Sequence, residues 1–136
     1  MATGSDDSVY DAMARLLEES GDLADVPKVS TLFQGTRKDP SLRGSITGLS
    51  TENFTPRHLI QGVMQGMADE LFEMYRGYLD MGGQKPAAMI GSGNGLRKNP
   101  HLCRIMEKTF GCPLILSENN EEAACGAAIY AAKHCR

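Results

Sequence analysis

The stretch MIGSGNGLRKNP, Met89–Pro100, places three glycines within five residues and then meets a proline that can open a helix. Glycine loses more conformational entropy on folding than any other residue, so three of them need a reason. They could form a tight turn, or expose backbone that a ligand such as a phosphate approaches closely. A strand is predicted over residues 87–90, and Asn99 and Pro100 suit the N-cap and first position of a helix. Since ligands of open α/β folds bind where strand ends meet helix starts, the stretch is a candidate nucleotide-contacting loop.

This glycine stretch matches neither of the two common phosphate-binding motifs. It lacks the Gly-Lys-Ser/Thr ending of a P-loop, and Leu96 stands where the dinucleotide motif G-x-G-x-x-G needs glycine. That mismatch disfavours a small dinucleotide-binding domain. Arg97 and Lys98 could support phosphate binding, although a solvated surface pair is the commoner explanation of such residues. The glycine pattern alone leaves a plain turn and a nucleotide contact about equally open.

Hydrophobic periodicity organises the rest of the chain into helices and short extended segments. The predicted helices cover about residues 8–20, 56–81, 100–110 and 121–133, and the predicted extended segments cover about residues 29–33, 44–49, 87–90 and 113–117. Asp6 or Asp7 is expected to cap the first helix and Gly21 to end it; Thr55 is expected to cap the second. The order of elements in the second half predicts an α/β arrangement with parallel strand pairing. One apolar stripe of the second helix is expected to face the core: Ile60, Val63, Met64, Met67, Leu71, Met74, Tyr75 and Tyr78.

Composition excludes several classes of function. The chain has 136 residues, 41% of them hydrophobic, and a formal net charge of −3, which fits one ordinary globular domain. No run of Lys and Arg forms a basic patch, so nucleic acid is not an expected partner. No apolar stretch is long enough to cross a bilayer, and no export signal is visible, so a cytoplasmic location is expected. The cysteines, none in a C-x-x-C pair, are expected to be reduced thiols: Cys103, Cys112, Cys125 and Cys135.

Three linked motifs give the chain a family resemblance. Residues 90–132, IGSGNGLRKNPHLCRIMEKTFGCPLILSENNEEAACGAAIYAA, look like the C-terminal end of the FGGY carbohydrate kinases, whose E-x-A-A-x-G-A-A element corresponds to residues 121–128. Residues 44–65, GSITGLSTENFTPRHLIQGVMQ, resemble a second signature of the family, departing from it at Gly62. Residues 33–44, FQGTRKDPSLRG, resemble its GERxPxxxPxARG run, with Thr36 replacing the acid. The spacing in SGNGLRKN looks nearest to that of sedoheptulokinase and its relatives.

The resemblance implies a fold, a reaction and a set of site residues. FGGY kinases move the γ-phosphoryl group of MgATP to a sugar hydroxyl in a cleft between two actin-like, RNase H-like domains. Residues 1–136 would be a single nucleotide-side domain, the second of the two. Gly93, Asn94 and Gly95 would line the adenosine and phosphate side, and Asn99, equally suited to cap a helix, would contact adenine. Gly126 and the alanines around it would pack the last helix against this loop.

The resemblance also implies what this chain lacks. The sugar-binding domain, the catalytic aspartate and the first phosphate-binding loop of the family correspond to nothing here, and the early strands of the second domain are also expected to be missing. No catalytic or metal-binding residue is therefore assigned, and the isolated chain is expected to be inactive. The sugar, sedoheptulose or another ketose, cannot be specified. The alternative is a non-catalytic nucleotide-binding or interaction module that pairs, through an exposed sheet edge, with a second copy or a complementing chain.

Overall fold

The computed structural model describes residues 9–18, 23–118 and 121–134. The chain divides into two compact units, Met1–Gly83 and Gln84–Arg136, here called the N-terminal and C-terminal units. The N-terminal unit contains α1 (Val9–Glu18), β1 (Lys28–Ser30), β2 (Ser45–Thr47) and α2 (Pro56–Asp80). The C-terminal unit contains β3 (Met89–Gly91), α3 (Asn94–Arg97), α4 (Pro100–Phe110), β4 (Leu114–Leu116) and α5 (Glu122–His134). Of the predicted boundary residues, Asp6, Asp7 and Gly21 lie outside the described residues.

In the N-terminal unit, a small antiparallel sheet supports the first half of a long helix. β1 and β2 pair with Val29 opposite Ile46. The buried apolar side chains of this unit are Leu17, Val29, Met64 and Ala68. Thr55 caps α2 as predicted, since its side chain accepts a hydrogen bond from the His58 N–H. The core of the unit therefore lies where α1, β1 and the start of α2 meet.

The face of α2 that packs on β1 is made of small residues and is not the predicted apolar stripe. Gly62 and Gly66 are buried there, and a Cβ atom added at Gly62 would lie 2.7 Å from the Pro27 carbonyl oxygen. A Cβ atom at Gly66 would collide with the Val29 carbonyl oxygen. Glycines thus let the two backbones approach more closely than bulky side chains would allow.

Half of the predicted stripe on α2 is exposed. Its 25 residues extend over about 37 Å at 1.5 Å per residue, whereas a three-residue strand spans only about 10 Å. The sheet therefore covers the helix only as far as about Ala68, and the expectation of a continuous core stripe is wrong. Met64 is buried, but four other residues of the stripe are 42–66% exposed. These exposed residues are Met67, Leu71, Met74 and Tyr78.

The strand β1 is shorter than the predicted segment 29–33 because a side chain takes over its hydrogen bonding. The carboxylate of Glu70 accepts hydrogen bonds from the Thr31 N–H at 2.6 Å and from the Thr31 hydroxyl at 2.8 Å. The Phe33 N–H then donates to the Thr31 carbonyl, which turns the chain. A carboxylate on α2 thus ends the strand after Ser30.

In the C-terminal unit, β3 and β4 form the parallel pair that the order of elements predicted, with Ile90 opposite Ile115. The connection between them contains α4, which buries Leu102 and Ile105. Both ends of α4 fall as expected. The Asn99 side chain caps it by accepting from the Leu102 N–H at 3.0 Å, and Gly111 ends it in the left-handed conformation at φ 63°.

The last helix, α5, does not pack as the resemblance implied. Gly126 and the alanines beside it are exposed, and no described atom lies within 4 Å of a Cβ atom added at Gly126. The contact between α5 and the glycine stretch is made instead by its first residue, Glu122, which bonds to Arg97. The small residues therefore do not form the expected helix–loop contact among the described residues.

The described cysteines and helices bear on two further expectations. Cys103, Cys112 and Cys125 are free, half-buried thiols, and Cys135 lies outside the described residues. Burial is the main cause that raises the pKa of the Cys103 thiol, which donates to the Leu96 carbonyl oxygen at 3.3 Å.

None of the described helices combines the length and apolar character that a membrane crossing needs.

Candidate functional site

The three glycines of the stretch 91–95 play three different structural roles. Gly91 ends β3 and is buried; a Cβ atom there would lie 3.0 Å from Leu96 Cδ1 and 3.3 Å from Leu114 Cδ2. Gly93 is the N-cap of α3, with φ 92° and ψ 155°. Gly95 lies within α3, and no described atom is within 4 Å of the position its Cβ would take. Gly91 is thus tightly packed against leucine side chains, the backbone conformation at 93 favours glycine, and a side chain at 95 would have free space.

Gly93 gives the stretch its shape. Its dihedral angles fall in a region that is essentially limited to glycine, because a side chain there would clash with its own backbone. The chain leaves β3, turns at Gly93 and begins the one-turn helix α3, in which the Arg97 N–H donates to the Gly93 carbonyl at 3.2 Å. This helix was not predicted, since residues 91–99 were expected to form a loop. Part of the glycine pattern is therefore explained by a tight turn.

A carboxylate from α5 holds this turn from within the unit. Glu122 Oε1 lies 2.5 Å from Arg97 Nη2, and the two side chains are only 27% and 18% exposed. The hydrogen bond from Arg97 is the main cause that holds the pKa of the Glu122 carboxyl below its ordinary value, and hydrogen bonds from the N–H groups of Glu122 and Gly93 add to the effect. Arg97 is therefore part of an internal ion pair and not of a solvated surface pair.

The open part of the site is the exposed pair Asn94 and Gly95. Asn99 follows at the junction of α3 and α4, where its N–H donates to the Leu96 carbonyl at 3.1 Å and its side-chain oxygen caps α4. The four residues expected at a nucleotide site thus lie within one turn–helix–turn segment. Within it, Asn94 and Gly95 face outward, while Gly93 and Asn99 have structural tasks as well.

Sequence reasoning missed Glu122 as a residue of this site. The resemblance aligned the glutamate of the E-x-A-A-x-G-A-A element with Glu121, and no contact was assigned to Glu122. In the structure Glu121 is exposed, and Glu122 carries the contact to Arg97. The pair of acids at 121 and 122 was a visible signal, but only the start of α5 in space decides which one faces the turn.

The described acidic residues have no catalytic arrangement that the sequence overlooked. In the described parts of the chain, no three His, Cys, Asp or Glu side chains lie together in a group that could hold a metal ion. Asp25 accepts from the buried Asn53 amide, Asp39 accepts from Ser41, and Asp69 accepts from Gln65. These contacts are those of turn and helix-surface residues.

Comparisons with known proteins agree on one family. The sequence profile of the "FGGY family of carbohydrate kinases, C-terminal domain" matches residues 9–135. A glycerol kinase from Acidiphilium cryptum (strain JF-5) is 31% identical over 120 residues, which are 88% of this chain and 23% of that enzyme. The crystal structure of xylulose kinase from Rhodospirillum rubrum matches with a TM-score of 0.65 at 29% identity, over 88% of this chain and 24% of the xylulose kinase chain. This chain therefore spans about a quarter of the length of the relatives it matches.

Proposed function

Because the chain belongs to the FGGY family of carbohydrate kinases, whose C-terminal domain it matches, we propose that it forms the ATP-binding side of a sugar kinase. The reaction would transfer the γ-phosphoryl group of ATP to a sugar hydroxyl, in the cytoplasm, where we also place the chain. The actin-like, RNase H-like fold, its incompleteness at the early strands and the assignment of residues 1–136 to one nucleotide-side domain are parts of this proposal. One observation supports the proposal. In the segment that matches the family, a parallel strand is followed by a turn whose backbone conformation is limited to glycine, and the backbone of this turn is exposed.

Asn94 and Gly95 are the residues we propose to touch the nucleotide. Ligands of α/β folds bind beyond the carboxyl ends of parallel strands, and this pair follows β3 at that end. A flat base or ribose can approach Gly95 closely, since Gly95 has no side chain and no described atom lies within 4 Å of its missing Cβ. The exposed Asn94 amide offers both donors and an acceptor. Together they would bind and orient adenosine.

Gly93 and Asn99 would contribute in other ways. Gly93 supplies the backbone turn. Because the Glu122–Arg97 pair occupies one side of this turn, we assign the phosphates to the other side, where Asn94 and Gly95 are exposed. The side-chain oxygen of Asn99 caps α4, so a contact with adenine would use the side-chain amide nitrogen of Asn99.

The described residues bind and orient the nucleotide, and the chemistry of transfer needs other groups. Phosphoryl transfer rests on positioning and charge stabilisation, with a carboxylate accepting the proton of the attacking hydroxyl. Glu122, the carboxylate beside the glycine turn, is paired with Arg97, and we assign it no part in the transfer step. ATP would arrive as MgATP; the described residues include no fitting metal cluster, and we assign no step to Mg²⁺.

The acceptor is proposed as a chemical class. The relatives identified are a glycerol kinase and a xylulose kinase, so they do not agree on one acceptor. The spacing of SGNGLRKN supports sedoheptulose or another ketose, and the relatives identified do not favour sedoheptulose specifically. We therefore propose a polyhydroxylated acceptor and leave its length open.

Titration calorimetry with ATP and ADP tests the nucleotide site directly. The wild-type chain should bind both in a saturable way, Asn94→Ala should weaken binding, and Asn99→Ser should keep the α4 cap while removing the amide nitrogen. Asp69→Ala, an exposed change in the other unit, is the matched control and should bind normally. Circular dichroism of each variant confirms folding. A folded wild-type chain that binds neither nucleotide would contradict the proposal that these residues form the site.

A non-catalytic interaction module is the second candidate, and one observation favours it. Ile90 and Ile115 are opposite each other on β3 and β4, yet they are 70% and 54% exposed. Parallel sheets are normally covered on both faces. An apolar pair of this kind is typical of a surface that another chain, a second copy or the rest of a kinase would cover.

A further inference from the structure

Glu122 makes a contact with α3 that its place in the sequence does not predict. It is the first residue of α5, and its carboxylate accepts a hydrogen bond from Arg97 Nη2 at 2.5 Å. Arg97 is the last residue of α3, and its backbone N–H donates to the carbonyl of Gly93, the N-cap of this helix. One carboxylate therefore holds the residue that closes a four-residue helix.

A helix this short needs such an external contact. Nucleating a helix is unfavourable, and even helices of about 12 residues are marginal in water on their own. The four residues of α3 also include glycine at position 95, which favours the unfolded chain. The bond from Glu122 holds Arg97, whose backbone N–H closes the helix onto the Gly93 carbonyl.

The charges of this contact also suit a site for an anion. The Glu122 carboxylate is paired with the Arg97 guanidinium, and both are more than two-thirds buried. The pair has no net charge, so it can hold the turn without repelling an incoming phosphate as an unpaired carboxylate would. The exposed residues of α3, Asn94 and Gly95, remain open on its outer side.

We propose that Glu122 is a positioning residue for the nucleotide site: its bond to Arg97 holds Asn94 and Gly95 in the conformation that binds ATP. Glu122 itself does not touch the nucleotide. This inference rests on the proposed function for its effect on ATP, whereas its effect on the turn can be measured without any nucleotide.

Two readouts on the intact chain test this role. Hydrogen exchange of the amides of residues 97–99, which donate to the carbonyls of residues 93, 94 and 96, reports on the turn, and calorimetry reports on ATP affinity. Glu122→Gln should speed exchange at residues 97–99 and weaken ATP binding, each by roughly tenfold, the loss expected for a hydrogen bond to a charged group. The amides of the β3–β4 ladder should keep their protection. Glu121→Gln, which removes the same charge one residue away, is the matched control and should change neither readout.

The outcomes separate this inference from the proposed function. If the wild-type chain does not bind ATP but Glu122→Gln still speeds exchange at 97–99, the proposed function fails and the contact stands. If exchange speeds up and ATP affinity is unchanged, the positioning role is wrong. If neither changes in a folded Glu122→Gln chain, the whole inference is overturned. Arg97→Lys keeps the charge but loses the guanidinium geometry, so it should give a smaller change of the same kind and serves if Glu122→Gln does not fold.

Discussion

At the scale of single residues, alanine substitutions at Gly93 and Gly95 can be compared directly. Gly93 has a backbone conformation closed to side chains, whereas a side chain at Gly95 would have free space. Gly93→Ala should destabilise the C-terminal unit by about 1–3 kcal/mol, because φ 92° with ψ 155° is a region closed to side chains. Gly95→Ala should be neutral or stabilising by up to about 1 kcal/mol, because alanine is the better helix former. Urea denaturation followed by circular dichroism measures both. Equal effects of the two substitutions would show that the glycine turn has no special conformation.

The Glu122 contact gives a prediction about pH. The folded state lowers the pKa of this carboxyl, chiefly through the Arg97 hydrogen bond. A lowered pKa means that the ionised group stabilises the fold above its unfolded pKa of about 4.3, and that this stabilisation is lost as pH falls further. Wild type should therefore exceed Glu122→Gln in stability at pH 7, and the gap should narrow below about pH 4.3. Urea midpoints of both chains across this range measure it; a gap that stays constant would exclude the ionised contact.

At the scale of elements, α2 packs through glycines, and this yields a second matched pair. Gly66→Ala would bring a Cβ atom against the carbonyl of Val29, with its carbonyl carbon only 3.1 Å away, so α2 and β1 must separate. We expect a loss of about 1–3 kcal/mol, as for other overpacked sites. Gly77→Ala lies on the same helix with no described atom within 4 Å of its Cβ, and should gain up to about 1 kcal/mol. Thermal unfolding compares them; a stable Gly66→Ala chain would refute the close contact.

The cap of α4 can be separated from any role of Asn99 in binding. Asn99→Ala removes the acceptor for the Leu102 N–H and should cost about 1 kcal/mol. Asn99→Ser restores an acceptor and should recover most of that stability. If Asn99 also contacts the nucleotide, calorimetry should show weaker ATP binding in both variants. If the serine variant binds ATP with full affinity, Asn99 serves only to cap α4.

Helix ends were the elements most readily predicted, because their signals are local. Thr55 with Pro56, Asn99 with Pro100, and Gly111 mark boundaries through their own backbone and side-chain bonds. The end of β1 was not predictable in this way, since it depends on Glu70, 39 residues away in the chain. The same holds for the packed face of α2. Apolar spacing favoured the bulky stripe, whereas the contact with β1 selected glycines.

The candidate site was predictable as a segment but not as a set of contacts. The three glycines are alike in the sequence, and only Leu96 and Leu114 in space show that Gly91 is a packing residue. Arg97 resembled a solvated cation until α5 placed Glu122 against it. The contacts of Gly91 with Leu114 and of Arg97 with Glu122 join residues 23 and 25 positions apart, and no periodicity or local motif encodes them.

At the scale of the whole molecule, the kinase reaction needs more than the residues of this chain. The chain matches 23% of the Acidiphilium glycerol kinase and 24% of the Rhodospirillum xylulose kinase, so most of either enzyme has no counterpart in the matched segment. Phosphoryl transfer to a hydroxyl needs a base and a bound acceptor in addition to ATP. We therefore expect the purified chain to show no sugar-dependent ATP consumption.

Supplying the remaining part in trans should restore turnover. The Acidiphilium glycerol kinase, shortened by the segment that this chain matches, is a suitable partner, and glycerol-dependent ADP release is the measurement. The mixture should exceed either piece alone, because the shortened enzyme would provide the acceptor site and this chain would provide Asn94 and Gly95. The same mixture with an Asn94→Ala chain is the matched control and should be less active. Turnover by the chain alone would contradict the assignment of the acceptor site to the shortened enzyme. Tight association without turnover would favour the interaction module, since Ile90 and Ile115 would then be covered without completing an active site.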